Sequence, residues 1–164
     1  MGDNDTGGNV FPFQTPFIGL ALGDGGTQTG IFARGGGFTK GGVLNMASIT
    51  DGTSNTMAMG ETLYESNNWF TWINGNGTIG STTVPINWKI TSQTAGAQAN
   101  TDLVSLRSSQ NWLSGFGFRS QHPGIVNFLF LDGRVQAIKE SVNRNVYRGL
   151  STRRIGEVIA SDQY

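Results

Sequence analysis

Ile125-Val126-Asn127-Phe128-Leu129-Phe130-Leu131, then Asp132-Gly133, then Arg134-Val135-Gln136-Ala137-Ile138-Lys139 carries the clearest local folding signal in the chain. Two runs rich in β-branched and aromatic residues flank an Asp-Gly pair, the pattern of a β-hairpin. A two-residue type I′ turn needs positive φ at both central positions, which Asp and Gly tolerate. In that register Leu131 faces Arg134 and Leu129 faces Gln136. The first run is apolar on both faces and predicts a central strand; the second alternates and predicts a half-exposed one.

Outward from the hairpin, Val142, Val146, Leu150 and Arg153 recur at helical spacing behind Asn143, a good N-cap residue, so a short helix is expected over 142–153. Upstream, 103–118 holds Trp112, Phe116 and Phe118 in no clean period, and 91–102 reads as a polar loop. Residues 62–90 carry Trp69, Trp72 and Trp88 around Asn74-Gly75-Asn76-Gly77, a second hairpin signal. Residues 43–49 and 57–61 predict strands, joined by a turn at Asp51-Gly52-Thr53-Ser54-Asn55, whose short polar side chains can cap free amides. Residues 31–33 fit a short strand between two Gly-dense loops. The apolar stretch 10–22 is broken by Pro12 and Pro16, which excludes a regular helix but permits an extended edge segment. The expectation is one α+β domain over 10–164, mainly antiparallel β, with a C-terminal hairpin, a short helix and long Gly-rich loops, behind a flexible segment 1–9.

Composition limits what such a domain can do. Lys and Arg together number 11, as do Asp and Glu, so no basic field exists to hold a phosphate backbone and nucleic acid is not an expected partner. Charged residues make up 13% against a usual quarter, so solubility rests on hydroxyls and amides, as in secreted β-proteins. With no cysteine there is no disulfide, thiolate metal site or cysteine nucleophile. No run of about 20 apolar residues offers a membrane span, and no basic-then-apolar export signal opens the chain. Lys40 lacks the GxxxxGK[ST] frame of a phosphate loop.

The candidate chemical groups are few. His122 is the sole imidazole, and one strand over 123–131 at ~3.3 Å per residue would hold it about 30 Å from Asp132, too far for a base and its orienting carboxylate. Asp132 then reads as a turn residue and His122 as a local hydrogen-bond anchor before Pro123. No Gly-x-Ser-x-Gly elbow is present, and the spacing of Glu61, Glu65, Glu140 and Glu157 singles out no glycosidase pair. Asp51, Thr53 and Asn55 place oxygens at alternate positions, a weak calcium pattern without the bidentate Glu of an EF-hand loop, and a plain Asx turn is the competing reading. Trp69, Trp72 and Trp88 could form core or a platform for stacking a sugar ring. No catalytic residue, metal or cofactor is assigned beyond the weak calcium pattern, and no enzymatic activity is expected.

His122, nine residues, then Asp132-Gly133 resembles the H-X9-DG signature of the prepilin-type DUF1559 family of planctomycetes. Ile49-Thr50-Asp51-Gly52-Thr53-Ser54-Asn55-Thr56, leading to Gly60-Glu61, is similar to that family's ITDGTSNT…GE stretch. The close, Tyr147-Arg148-Gly149-Leu150-Ser151-Thr152 followed by Gly156-Glu157, resembles its last segment, so the likeness runs from about residue 30 to the end. The resemblance implies a pilin-like or pseudopilin-like structural subunit at the cell surface or outside the cell, a homo-oligomer or filament touching the envelope or its glycans. A solute- or glycan-binding module using the Trp-rich region is the alternative. The hydrophobic prepilin helix and Cys-containing region usual in the family are not found in this sequence, and the segment 10–22 is a candidate to lie on the open sheet edge of a neighbouring copy.

Overall fold

The structure, a computed structural model, describes residues 30–31, 45–63, 80–96 and 102–164. The segments 1–9 and 10–22, Trp69, Trp72, Glu65 and the Asn74-Gly75-Asn76-Gly77 signal lie outside the described residues. Among the described residues three strands form one antiparallel sheet: β1 is Met57–Gly60, β2 is Ile125–Phe130 and β3 is Val135–Lys139, in the order β1-β2-β3. The strand that is apolar on both faces is the central one, as its sequence requires. Short helices described beside the sheet are α1 at Trp112–Gly115 and α2 at Arg144–Gly149. The domain is a small, β-rich α+β unit.

The hairpin forms, but its register differs from the expected one by a residue. Val126 faces Ile138, Phe128 faces Gln136 and Leu129 faces Val135, so three residues, not two, make the loop. Phe130 N–H donates to the Arg134 carbonyl at 2.8 Å and Gly133 N–H to the Phe130 carbonyl at 3.0 Å. Gly133 takes φ +90°, whereas Asp132 is not among the positive-φ residues, so the turn is not type I′. Two bonds, one long-range and one local, explain the shift. Leu131 N–H donates to the Thr56 carbonyl at 2.9 Å, and the Asp132 carboxylate accepts the Arg134 N–H at 2.9 Å. The core agrees, because Ile138, the one fully buried residue of β3, then falls beside Val126 on the inner face.

The inner face of the sheet makes the core with Met57, Val126, Phe128, Phe130 and Ile138, covered by Ile86, Phe118, Tyr147 and Leu150. The Phe128 ring meets those of Phe118 and Tyr147 edge-on, at centroid separations of 5.2 and 6.0 Å. β1 departs from regular pairing between Met57 and Met59, placing a bulge at Ala58.

The C-terminal helix is six residues long, shorter than the 142–153 expected. Asn143 caps it, its side-chain oxygen accepting the Asn145 N–H at 2.9 Å. A helix of this length has little intrinsic stability; it is held by the burial of Tyr147 and Leu150, worth roughly 1.5–3 kcal/mol for each large apolar side chain. After Leu150 the Ser151 and Thr152 hydroxyls return to the Arg148 and Gly149 carbonyls, at 2.7 and 2.8 Å, and the chain leaves the helix. The expected strand over 43–49 is not formed in its described part: Met46–Ser48 is a 3₁₀ turn. There the Ser48 N–H and hydroxyl both donate to the Asn45 carbonyl, at 3.0 and 2.7 Å, and Met46 remains 57% exposed, so no burial opposes the turn.

Candidate functional site

The strand order brings Glu61 from the end of β1 beside Asn127 in β2. One Glu61 carboxylate oxygen accepts the Asn127 backbone N–H at 3.0 Å and the other accepts the Asn127 side-chain amide at 3.1 Å. The Asn127 backbone N–H, foremost, holds the Glu61 carboxyl below its ordinary pKa, with smaller contributions from the Asn127 amide, His122 and Ser120. His122 Nε2 stands 3.6 Å from Glu61, and the two side chains are 55% and 38% exposed, so the pair is a weak surface contact. The His122 backbone N–H donates to the Ser120 hydroxyl at 2.8 Å. Asn87 closes the cluster: its Oδ1 accepts the Ser120 N–H at 3.0 Å and its Nδ2 donates to the Ile125 carbonyl at 3.4 Å and to Glu140 at 3.5 Å.

His122 and Asp132 flank β2 at its two ends, and the carboxylate beside the imidazole is Glu61. Asp132 serves the hairpin loop through Arg134, next to Gly133.

A second cluster joins the two remaining signature stretches. The Asp51 carboxylate accepts the Gly156 N–H at 2.9 Å and the Ile155 N–H at 3.0 Å. Thr50 and Asp51 N–H groups donate to the Arg153 carbonyl at 2.8 and 3.3 Å. The Glu157 carboxylate accepts the Thr152 hydroxyl at 3.0 Å. Within the turn, the Asn55 N–H and the Thr56 hydroxyl donate to the Gly52 carbonyl, at 3.1 and 3.0 Å, across Thr53 and Ser54. Both Asp51 oxygens thus accept backbone amides of the 155–156 segment. Among the described residues no three His, Asp or Glu side chains converge where a metal ion could sit.

Trp88 is half-buried beside Val84 and Leu106. Its indole N–H donates to the Leu106 carbonyl at 2.8 Å, and the Arg107 guanidinium lies 4.4 Å from the ring centroid. This stacked pair forms one wall of an open groove of about 380 Å³, whose other side is Asn87, Glu140 and Ser141.

Arg119 carries no sequence motif, yet among the described residues it is the most deeply embedded charge. Its Nε donates to the Trp88 carbonyl at 2.7 Å, and its terminal nitrogens donate to the carbonyls of Gly117, Gly115 and Ser114. Burial pushes its pKa down to about 10, so it stays cationic at neutral pH. Two of those carbonyls belong to α1, whose C-terminal end is where a cation binds best. The one sequence signal was a lone charge inside Phe116-Gly117-Phe118-Arg119. Asn87 was equally silent; among the described residues it is the non-glycine residue with positive φ, +55°.

A β-rich α+β unit with its marked polar residues tied into the backbone is the class that fold and geometry define. Residues 15–145, well over half of the chain, match the family described as "Protein of unknown function (DUF1559)". The chain belongs to that DUF1559 family. The match takes in the His122, Asp132-Gly133, Asp51–Asn55 and Gly60-Glu61 motifs and ends before Gly156-Glu157. No curated protein and no solved structure shows significant similarity to the chain.

Proposed function

We propose that this chain is a non-catalytic structural subunit, pilin-like in role, that assembles with copies of itself at the cell surface or outside the cell. One observation carries this reading: the marked carboxylates are engaged in holding the chain to itself, while His122, 55% exposed, stays at the surface beside Glu61. Glu61 is bound to Asn127, Asp51 to the 155–156 backbone and Asp132 to the hairpin loop. Side chains so committed fit a scaffold better than a reaction centre, where a base must be left a substrate to act on. The absence of a helix long and apolar enough to cross a membrane, among the described residues, is compatible with assembly through the globular part.

The test is electron microscopy and light scattering of the purified full chain, with and without calcium. Regular assemblies that grow with protein concentration are expected. Monodisperse single copies at every concentration would overturn the subunit role. The groove beside Trp88 favours a second reading, capture of a small solute or glycan against the Trp88–Arg107 wall. Saccharide-dependent quenching of indole fluorescence that disappears in Trp88→Phe would favour it over the first.

A further inference from the structure

The two outer edges of the sheet differ. On β1, the Met57 N–H that points away from β2 donates to the Leu150 carbonyl at 2.7 Å, so that edge is closed by the chain after α2. On β3, the bonds that reach β2 and its flanks involve Arg134 and Glu140, and antiparallel alternation leaves the N–H and C=O groups of Val135, Ala137 and Lys139 pointing outward. Of these, the Lys139 carbonyl accepts the Val142 N–H at 3.1 Å; the others find no partner among the described residues. Val135 is 64% exposed, and Ala137 and Lys139 are exposed as well. Such a row of free donors and acceptors is a template for another extended strand.

We infer that β3 is the contact through which two copies of this chain pair, edge to edge and antiparallel, about a two-fold axis at Ala137. This deepens the subunit reading and rests on it. The strand is self-complementary in that register. Arg134 falls opposite Glu140 of the second copy and Glu140 opposite its Arg134, so opposite charges meet at both ends. Within one copy the Arg134 guanidinium lies 4.5 Å from the Phe130 ring centroid and donates to the Ser54 carbonyl at 2.7 Å, which fixes its charge at the start of the strand. Lys139, the kind of residue that guards natural edges, falls opposite Val135 and never opposite another lysine, and its aliphatic stem can cover that exposed valine. Ala137, small and facing its own copy, lets the two backbones approach. The row Met59, Leu129, Val135 across the outer face then continues into a six-stranded sheet with no open β3 edge.

The chain has no cysteine, so a single introduced one reports the register. In an antiparallel hydrogen-bonded pair, facing Cα atoms lie about 5.5 Å apart, within disulfide reach, whereas Val135 and its copy would stand about 13 Å apart. Under mild oxidation of the full chain, Ala137→Cys is expected to give covalent dimers several-fold faster than Val135→Cys. In sedimentation, Ala137→Pro should weaken self-association at least tenfold with thermal unfolding unchanged, because that N–H bonds nothing among the described residues of one copy. Equal cross-linking at 135 and 137, or unimpaired association of Ala137→Pro, overturns the inference. Assemblies without cross-linking at 137 would sink the β3 contact and leave the subunit role standing; cross-linked dimers that never grow further would do the reverse.

Discussion

The Glu61 carboxylate lies where β1 ends, and its bonds to Asn127 extend the strand pair by one further tie. Hydrogen bonds to a charged group contribute about 1.5–3 kcal/mol when buried; with Glu61 38% exposed, water replaces much of that, and Glu61→Ala is expected to destabilise by about 1 kcal/mol in urea unfolding. The sign with pH follows from the lowered pKa. The folded chain holds this proton less tightly than the unfolded chain, whose carboxyl titrates near 4.5. The contribution is therefore complete above that value and lost as pH falls through the lower folded one. Wild type and Glu61→Ala should accordingly converge in stability at acid pH; a constant gap would show that the carboxylate's charge is not what matters.

Strand β1 illustrates how a single missing side chain permits an element to pack. A Cβ built on Gly60 would lie 2.6 Å from ring carbons of both Phe118 and Phe128. Those two rings are held edge-to-face in the core and cannot both withdraw. Gly60→Ala is expected to cost about 1–3 kcal/mol by overpacking, seen as a lower denaturant midpoint. The less crowded double variant, Gly60→Ala with Phe118→Leu, should recover part of the loss. Gly60 thus belongs with Glu61 for a packing reason, next to a carboxylate that ties the same strand end. Gly133, by contrast, answers a backbone demand: its φ of +90° closes the three-residue loop.

For the molecule as a whole, Arg119 joins segments far apart in the chain, collecting carbonyls from Trp88 and from 114–117 around one buried cation. Replacing it by Met removes four donated bonds at once; the Gly117 and Ser114 carbonyls keep only the longer bonds from the Thr62 hydroxyl and the Gly117 N–H, at 3.3 and 3.4 Å, and each buried group left unsatisfied costs about 1–3 kcal/mol. A loss of about 3 kcal/mol or more is expected in thermal unfolding, with Arg119→Lys rescuing little, since one ammonium cannot span the fork of acceptors. Near-wild-type stability of Arg119→Met would mean that water reaches this site.

Much was written in local sequence. Alternation and apolar content marked β2 as the central strand, Asn143 marked the start of α2, and the polar cluster at Asp51–Asn55 marked a turn, because each depends on neighbours within a few residues. Only the tertiary structure decided the hairpin register, which turns on Leu131 reaching Thr56 and on Ile138 entering the core. It alone set the imidazole beside Glu61, bound Asp51 to the 155–156 backbone and brought the Trp88 carbonyl to Arg119. Those partners lie tens of residues apart along the chain, and no periodicity encodes a meeting that the closing of a core brings about.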